Sequence, residues 1–126
     1  MKLRIRDNSV RIRLTRSEVE RLGHGDRIEQ ATEFTPVSRL ISAIEISKTI
    51  KSPQASFSAG EIKVMVPEQT VADWWQSESV SIEATQTISP GKELQILIEK
   101  DFQCLHCTTE ESADAYPNPR AEVSHS

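Results

Sequence analysis

The chain has 126 residues and a mass of 14.2 kDa, which suits one compact domain. Hydrophobic residues make up 37%, charged residues 27% and aromatics 5%, too apolar for a disordered chain. No apolar run approaches the roughly 20 residues of a membrane span, and the net charge of −4 argues against nucleic acid as the default partner. The opening MKLRIRDNSV has no signal-peptide core and reads as a strand, so the expected compartment is a bacterial-type cytoplasm with reduced thiols. Two cysteines three positions apart exclude a secreted disulfide scaffold.

In chain order, Leu3 and Ile5 alternate with Arg4 and Arg6, the period of a half-buried strand. Asp7-Asn8-Ser9 makes a turn, and Val10, Ile12 and Leu14 resume the alternation. Thr15-Arg16-Ser17-Glu18 is a capping-box pattern that opens a short helix burying Val19 and Leu22 and stopping at Gly23 or Gly25. Strands near 27–34 and 38–46 follow. The same order then returns. Under a shift of 52, Leu3 falls on Ala55, Ile5 on Phe57, Val10 on Ile62, Ile12 on Val64, Leu14 on Val66, Val19 on Val71 and Leu22 on Trp74. After a two-residue insertion near Trp75–Ser79 the shift becomes 54, and Ile28, Glu29, Pro36, Leu40, Ile44 and Glu45 fall on identical residues at 82, 83, 90, 94, 98 and 99. Chance would give roughly one identity over such a stretch, so the chain is a duplication.

The expected fold is α+β and mostly β: a strand-strand-helix-strand-strand unit present twice, about eight strands and two short helices. The two units should form a pseudo-twofold barrel or a sandwich with the helices plugging its ends. Residues 1–103 read as one duplicated domain, with repeat one about 1–50 and repeat two about 53–103. Residues 104–126 read as an acidic tail containing Pro117 and Pro119.

The opening MKLRIRDNSVRIRLTRSEV and the closing EKDFQCL…DAYPNP resemble a family of short uncharacterised bacterial proteins over nearly the whole chain. That resemblance implies no activity. NSVRIRLTRSEVERLGHGDRIE is also similar in outline to AbrB-type swapped-hairpin antitoxin and regulator domains, although here the unit is duplicated and carries an extra strand. This second likeness implies a DNA-binding alternative.

Three groups of residues could carry chemistry. Arg4, Arg6, Arg11 and Arg13 share one face of the first hairpin, where antiparallel pairing gathers four guanidinium groups suited to a phosphate, a nucleotide, an acidic protein surface or the chain's own acidic tail. The second unit keeps only Lys63 at the matching positions. Cys104, His106 and Cys107 put two thiols and an imidazole on a tight turn, donors for a soft metal such as zinc or copper, with His24 and His125 as the other imidazoles. The repeated pairs Glu29/Glu83 and Glu45/Glu99 suit either acid–base work or the wet face of their strands. Phosphate loops, G-x-S-x-G and H-E-x-x-H are absent, which leans away from an enzyme. The leading expectation is a small binding or adaptor protein that takes an anionic ligand or acidic partner on the arginine face. A metal-binding protein or metalloenzyme built on Cys104, His106 and Cys107 is the alternative from another class.

Overall fold

A computed structural model describes residues 1–101. The first unit forms β1 (Lys2–Arg6), β2 (Ser9–Leu14), α1 (Arg16–Gly23), β3 (Ile28–Thr35) and β4 (Ser38–Ser47). The second forms β5 (Gln54–Ser58), β6 (Glu61–Pro67), α2 (Glu68–Trp75), β7 (Ser81–Ser89) and β8 (Lys92–Lys100). No helix among them is long and apolar enough to cross a membrane.

The strands form two four-stranded sheets, ordered β1-β2-β8-β7 and β3-β4-β6-β5, and no closed barrel. Each sheet therefore takes one hairpin from each unit, joined by a central parallel pair, β2 with β8 and β4 with β6. The registers obey the duplication residue by residue. Ile12 pairs with Ile98, and the equivalent pair Val64 and Ile44 is aligned in the other sheet. Ser9 opposite Gln95 likewise matches Glu61 opposite Ile41. Even the irregularities repeat: β3 slips between Glu33 and Thr35, and β7 slips between Thr87 and Ser89.

The core lies between the sheets. Alternation sends Ile12, Leu14, Ile96 and Ile98 inward from the first sheet and Val64, Val66 and Ile44 from the second, all buried. The helices do not plug both ends. They follow β2 and β6, touch each other, and close one end with Val19, Leu22, Val71 and Trp74. The Thr15 cap and Glu18 form a complete capping box, and Glu18 also takes both bonds from the Met1 ammonium at 2.8 Å. Burial pushes the Glu18 carboxyl up, but the ammonium and Thr15 outweigh it and hold it below the ordinary value. Helix α1 ends in a Schellman turn: Gly25, at φ 98°, donates to the Leu22 carbonyl, and Asp26 donates to that of Arg21.

Gly23 and Trp75 are equivalent under the duplication, and they meet. The Trp75 ring lies against Gly23, where a Cβ would come within 2.4 Å of it; it also packs on the core and lies 5.2 Å from His24 between ring centroids. At one of the two open seams between the sheets, Gln86 of β7 donates to the Ala55 carbonyl at 3.1 Å and accepts from its amide at 2.6 Å, standing in for a missing strand partner. The equivalent of Gln86 at the other seam is Thr32, too short to do this.

Candidate functional site

The first hairpin pairs Arg4 with Arg11, Lys2 with Arg13, and Arg6 with Ser9. Positions 2, 4, 6, 9, 11 and 13 share the face opposite to Val10, Ile12 and Leu14, which are buried in the core. The parallel register of β8 and the antiparallel register of β7 extend these pairs into rows across the sheet. Arg4 and Arg11 lead to Leu97 and Glu83, while Arg6 and Ser9 lead to Gln95 and Thr85. The four arginines singled out from the sequence are thus gathered on one outer face.

They are not electrically equivalent. Glu99, half-buried on β8, pairs with Arg11 Nε and lies 3.7 Å from Arg13. Lys2 reaches Asp101 at 3.8 Å. Arg4 and Arg6 are exposed and make no ion pair among the described residues. Beside them the face is hollowed into a depression of about 580 Å³, lined by Ser9, Arg11, Glu83, Thr85, Gln95 and Leu97. Thr85 donates to the Gln95 side-chain oxygen at 3.0 Å. The face carries Lys2 and four arginines against Glu83, Glu93, Glu99 and, at its margin, Asp101, and the charge without an ion partner is concentrated on Arg4 and Arg6 among the described residues.

The outer face of the other sheet supplies an internal comparison. Lys63, equivalent to Arg11, pairs with Glu45, equivalent to Glu99, at 3.5 Å. Arg27 gathers Glu29 at 3.0 Å, Glu61 at 2.7 Å and Glu45 at 3.4 Å. Hydrogen bonds to Glu61 and Glu29 raise the Arg27 pKa further above its already high value. Here two cations face three carboxylates, and Ser56 and Ser58 stand where the first sheet has Arg4 and Arg6. The duplicated ion pair is a feature of the fold, whereas exposed arginines without an ion partner on the edge strand belong to β1 and not to its equivalent β5 among the described residues.

The repeated glutamates lie on outer faces, as alternation implies. Glu45 and Glu99 serve as counterions, and Glu29 and Glu83 are exposed. Sequence reasoning missed Glu99 as the partner of Arg11 and Arg13, and it missed the polar floor of Thr85 and Gln95. The repeat does show that Glu99 is identical with Glu45, but which cation each one meets depends on the parallel pairing between units. Cys104, His106 and Cys107, and with them any zinc or copper site, lie outside the described residues. Among the described residues no group of three or more His, Cys, Asp or Glu side chains could hold a metal ion.

Comparison with known proteins found no curated protein and no solved structure that matches. A family profile does match, over residues 1–120, and includes both end motifs together with the arginine hairpin. The chain belongs to a family of unknown function, DUF7009.

Proposed function

We propose that the protein is a small cytoplasmic binding or adaptor protein that holds an anionic ligand, or an acidic segment of a partner protein, on the outer face of the β1-β2-β8-β7 sheet. The observation that carries this reading is the pair Arg4 and Arg6. The same edge strand in the same register is built in the second sheet with Ser56 and Ser58, so folding does not require arginine there. Two exposed guanidinium groups beside a depression of mixed polar and apolar lining form a fork-like donor set for phosphate or carboxylate oxygens. Arg11 is held in place by Glu99 and forms the near wall of the depression. Ser9, Thr85 and Gln95 add hydrogen-bonding groups that could read a polar, uncharged part of the ligand.

The test is titration with tripolyphosphate, ATP and a polyglutamate peptide at low salt, comparing the native chain with Arg4→Gln/Arg6→Gln and with Glu99→Gln. Loss of two charge-assisted contacts should weaken binding by about 100-fold or more. Glu99→Gln, which unpairs Arg11 and Arg13, should strengthen it. Charged edge strands also discourage strand addition, so Arg4→Lys/Arg6→Lys serves as a control that keeps the charge but not the fork. No binding of any of the three probes, or equal affinity in the Gln variant, would sink the proposal.

A further inference from the structure

Burial in the core falls off steadily from one end to the other. Along β2 it runs from Leu14 at 0% exposed through Ile12 at 1% to Val10 at 8%, and Ile5, opposite Val10, is 56% exposed. In the second sheet Val66 and Val64 are buried, Ile62 is half-buried, and its partner Phe57 is 69% exposed. The helices close the end where the gradient starts. The other end carries all four hairpin turns: Gln95 donates to the Asn8 carbonyl at 3.0 Å, and its equivalent Ile41 donates to the Gly60 carbonyl at 2.9 Å, holding the turns side by side. Among the described residues, nothing caps this end.

The two bulges sharpen the point. In each of β3 and β7 the extra residue is large and apolar, Phe34 and Ile88, and both are exposed. A bulge at a sheet edge re-aims one side chain, and both units aim a hydrophobe here. With Val37, 94% exposed at its turn, five of the six exposed large hydrophobes lie at this one end. Four of the five form equivalent pairs, Ile5 with Phe57 and Phe34 with Ile88.

From this arrangement we infer that the uncapped end is the interface for a second copy of the chain, docked end to end in a closed twofold dimer. Five side chains of this size expose roughly 600–700 Å², close to the ~800 Å² that each partner contributes to a standard interface and large for a monomer surface. The patch is arranged around the internal pseudo-twofold, which swaps the sheets and passes between the touching helices. An end-to-end twofold therefore engages both halves of each patch and leaves no unsatisfied apolar surface for further growth. The rim is mixed, with Arg6, Arg39 and Lys92 beside Asp7, Glu33 and Glu93, all exposed. That balance suits an identical surface turned about a twofold better than a nucleic acid or a strongly acidic partner.

The experiment is sedimentation velocity and light scattering on the full chain, over a concentration series reaching the hundred-micromolar range. The expected mass is twice 14.2 kDa. Phe34→Asp/Phe57→Asp should weaken association by at least about 100-fold, since central aromatic anchors carry most of such an interface. Val37→Asp, at a site too exposed to affect folding, should weaken it in the same direction, and unchanged melting of the variants checks that they remain folded. Arg4→Gln, which removes an anion-site guanidinium away from this rim, should leave the dimer intact, which separates this inference from the anion site. A native chain that stays monomeric throughout overturns it, and so does a dimer that survives the aspartate substitutions.

Discussion

Replacing Gly23 with alanine tests the packing between the two units through the sign of a single free-energy change. Gly23 is the last residue of α1, in ordinary helical geometry, so helix propensity alone makes Gly23→Ala stabilising by up to about 1 kcal/mol. Sterics oppose this. The new Cβ would lie 2.4, 2.6 and 2.7 Å from Cδ2, Cε2 and Cγ of Trp75, where carbon atoms prefer about 3.5–4.0 Å. The ring cannot swing away freely, because His24 lies against it and Trp75 packs on the core. Overpacking of this kind costs about 1–3 kcal/mol, so the net effect should be destabilising by about 1–2 kcal/mol and should lower Tm by several degrees. Urea unfolding followed by far-ultraviolet circular dichroism measures it without relying on tryptophan fluorescence. The same substitution in a Trp75→Leu background, where the ring is gone, should be neutral or stabilising. The exchanged pair, Gly23→Trp with Trp75→Gly, should recover much of the stability that Gly23→Trp alone loses, because the positions are equivalent. If Gly23→Ala is stabilising in the native background, or has the same effect with and without the indole ring, the account of the helix-capped end is wrong.

Gln86→Ala removes both bonds to the Ala55 backbone and should cost about 1–2 kcal/mol, with faster hydrogen exchange at the Ala55 amide. Thr32→Ala at the other seam should change stability by less than about 0.5 kcal/mol, and equal effects at both seams would refute the clamp. Glu18→Gln breaks the charged contact to the Met1 ammonium and weakens the capping box. Because the folded state holds the Glu18 carboxyl below its ordinary 4.5, its contribution is present above that value and is lost as pH falls through the lowered one. The gap in Tm between the native chain and Glu18→Gln should thus be widest near neutrality and close in acid; a gap that widens as pH falls would contradict this.

Much of the fold could be read from the residues because it rests on periodicity and repetition. The shifts of 52 and 54 that align Ile12 with Val64 and Ile44 with Ile98 are the shifts that relate the strand registers of the two sheets. Strand neighbours could not be read in the same way. Alternation says that Arg11 faces out and Ile12 faces in, but not that β2 lies parallel to β8 from the other unit. The counterion of Arg11 is therefore Glu99, 88 residues away, and local sequence cannot place it. The position of the helices was hidden for a related reason. Val19 and Leu22 show a face to bury, but only the exchange of hairpins brings α1 and α2 to the same end, leaving Ile5 and Phe57 uncovered at the other.

The duplication also separates what folding requires from what it does not. Where the copies agree in a charged contact, as with Arg11–Glu99 and Lys63–Glu45, the contact belongs to the shared architecture. Where they differ across the pseudo-twofold itself, packing explains the difference: two tryptophans at positions 23 and 75 could not both lie on the axis, and two glycines would leave a void. Gln86 against Thr32 is explained in the same way, because the clamp joins one seam. Arg4 and Arg6 against Ser56 and Ser58 fit neither case. They are exposed on an edge strand and make no ion pair or side-chain hydrogen bond among the described residues, and on the opposite strand of the same hairpin Arg11 is already paired with Glu99. Placing two more guanidinium groups next to it is unfavourable in the isolated fold and becomes favourable when an anion lies across them, so the asymmetry is better attributed to a ligand than to folding.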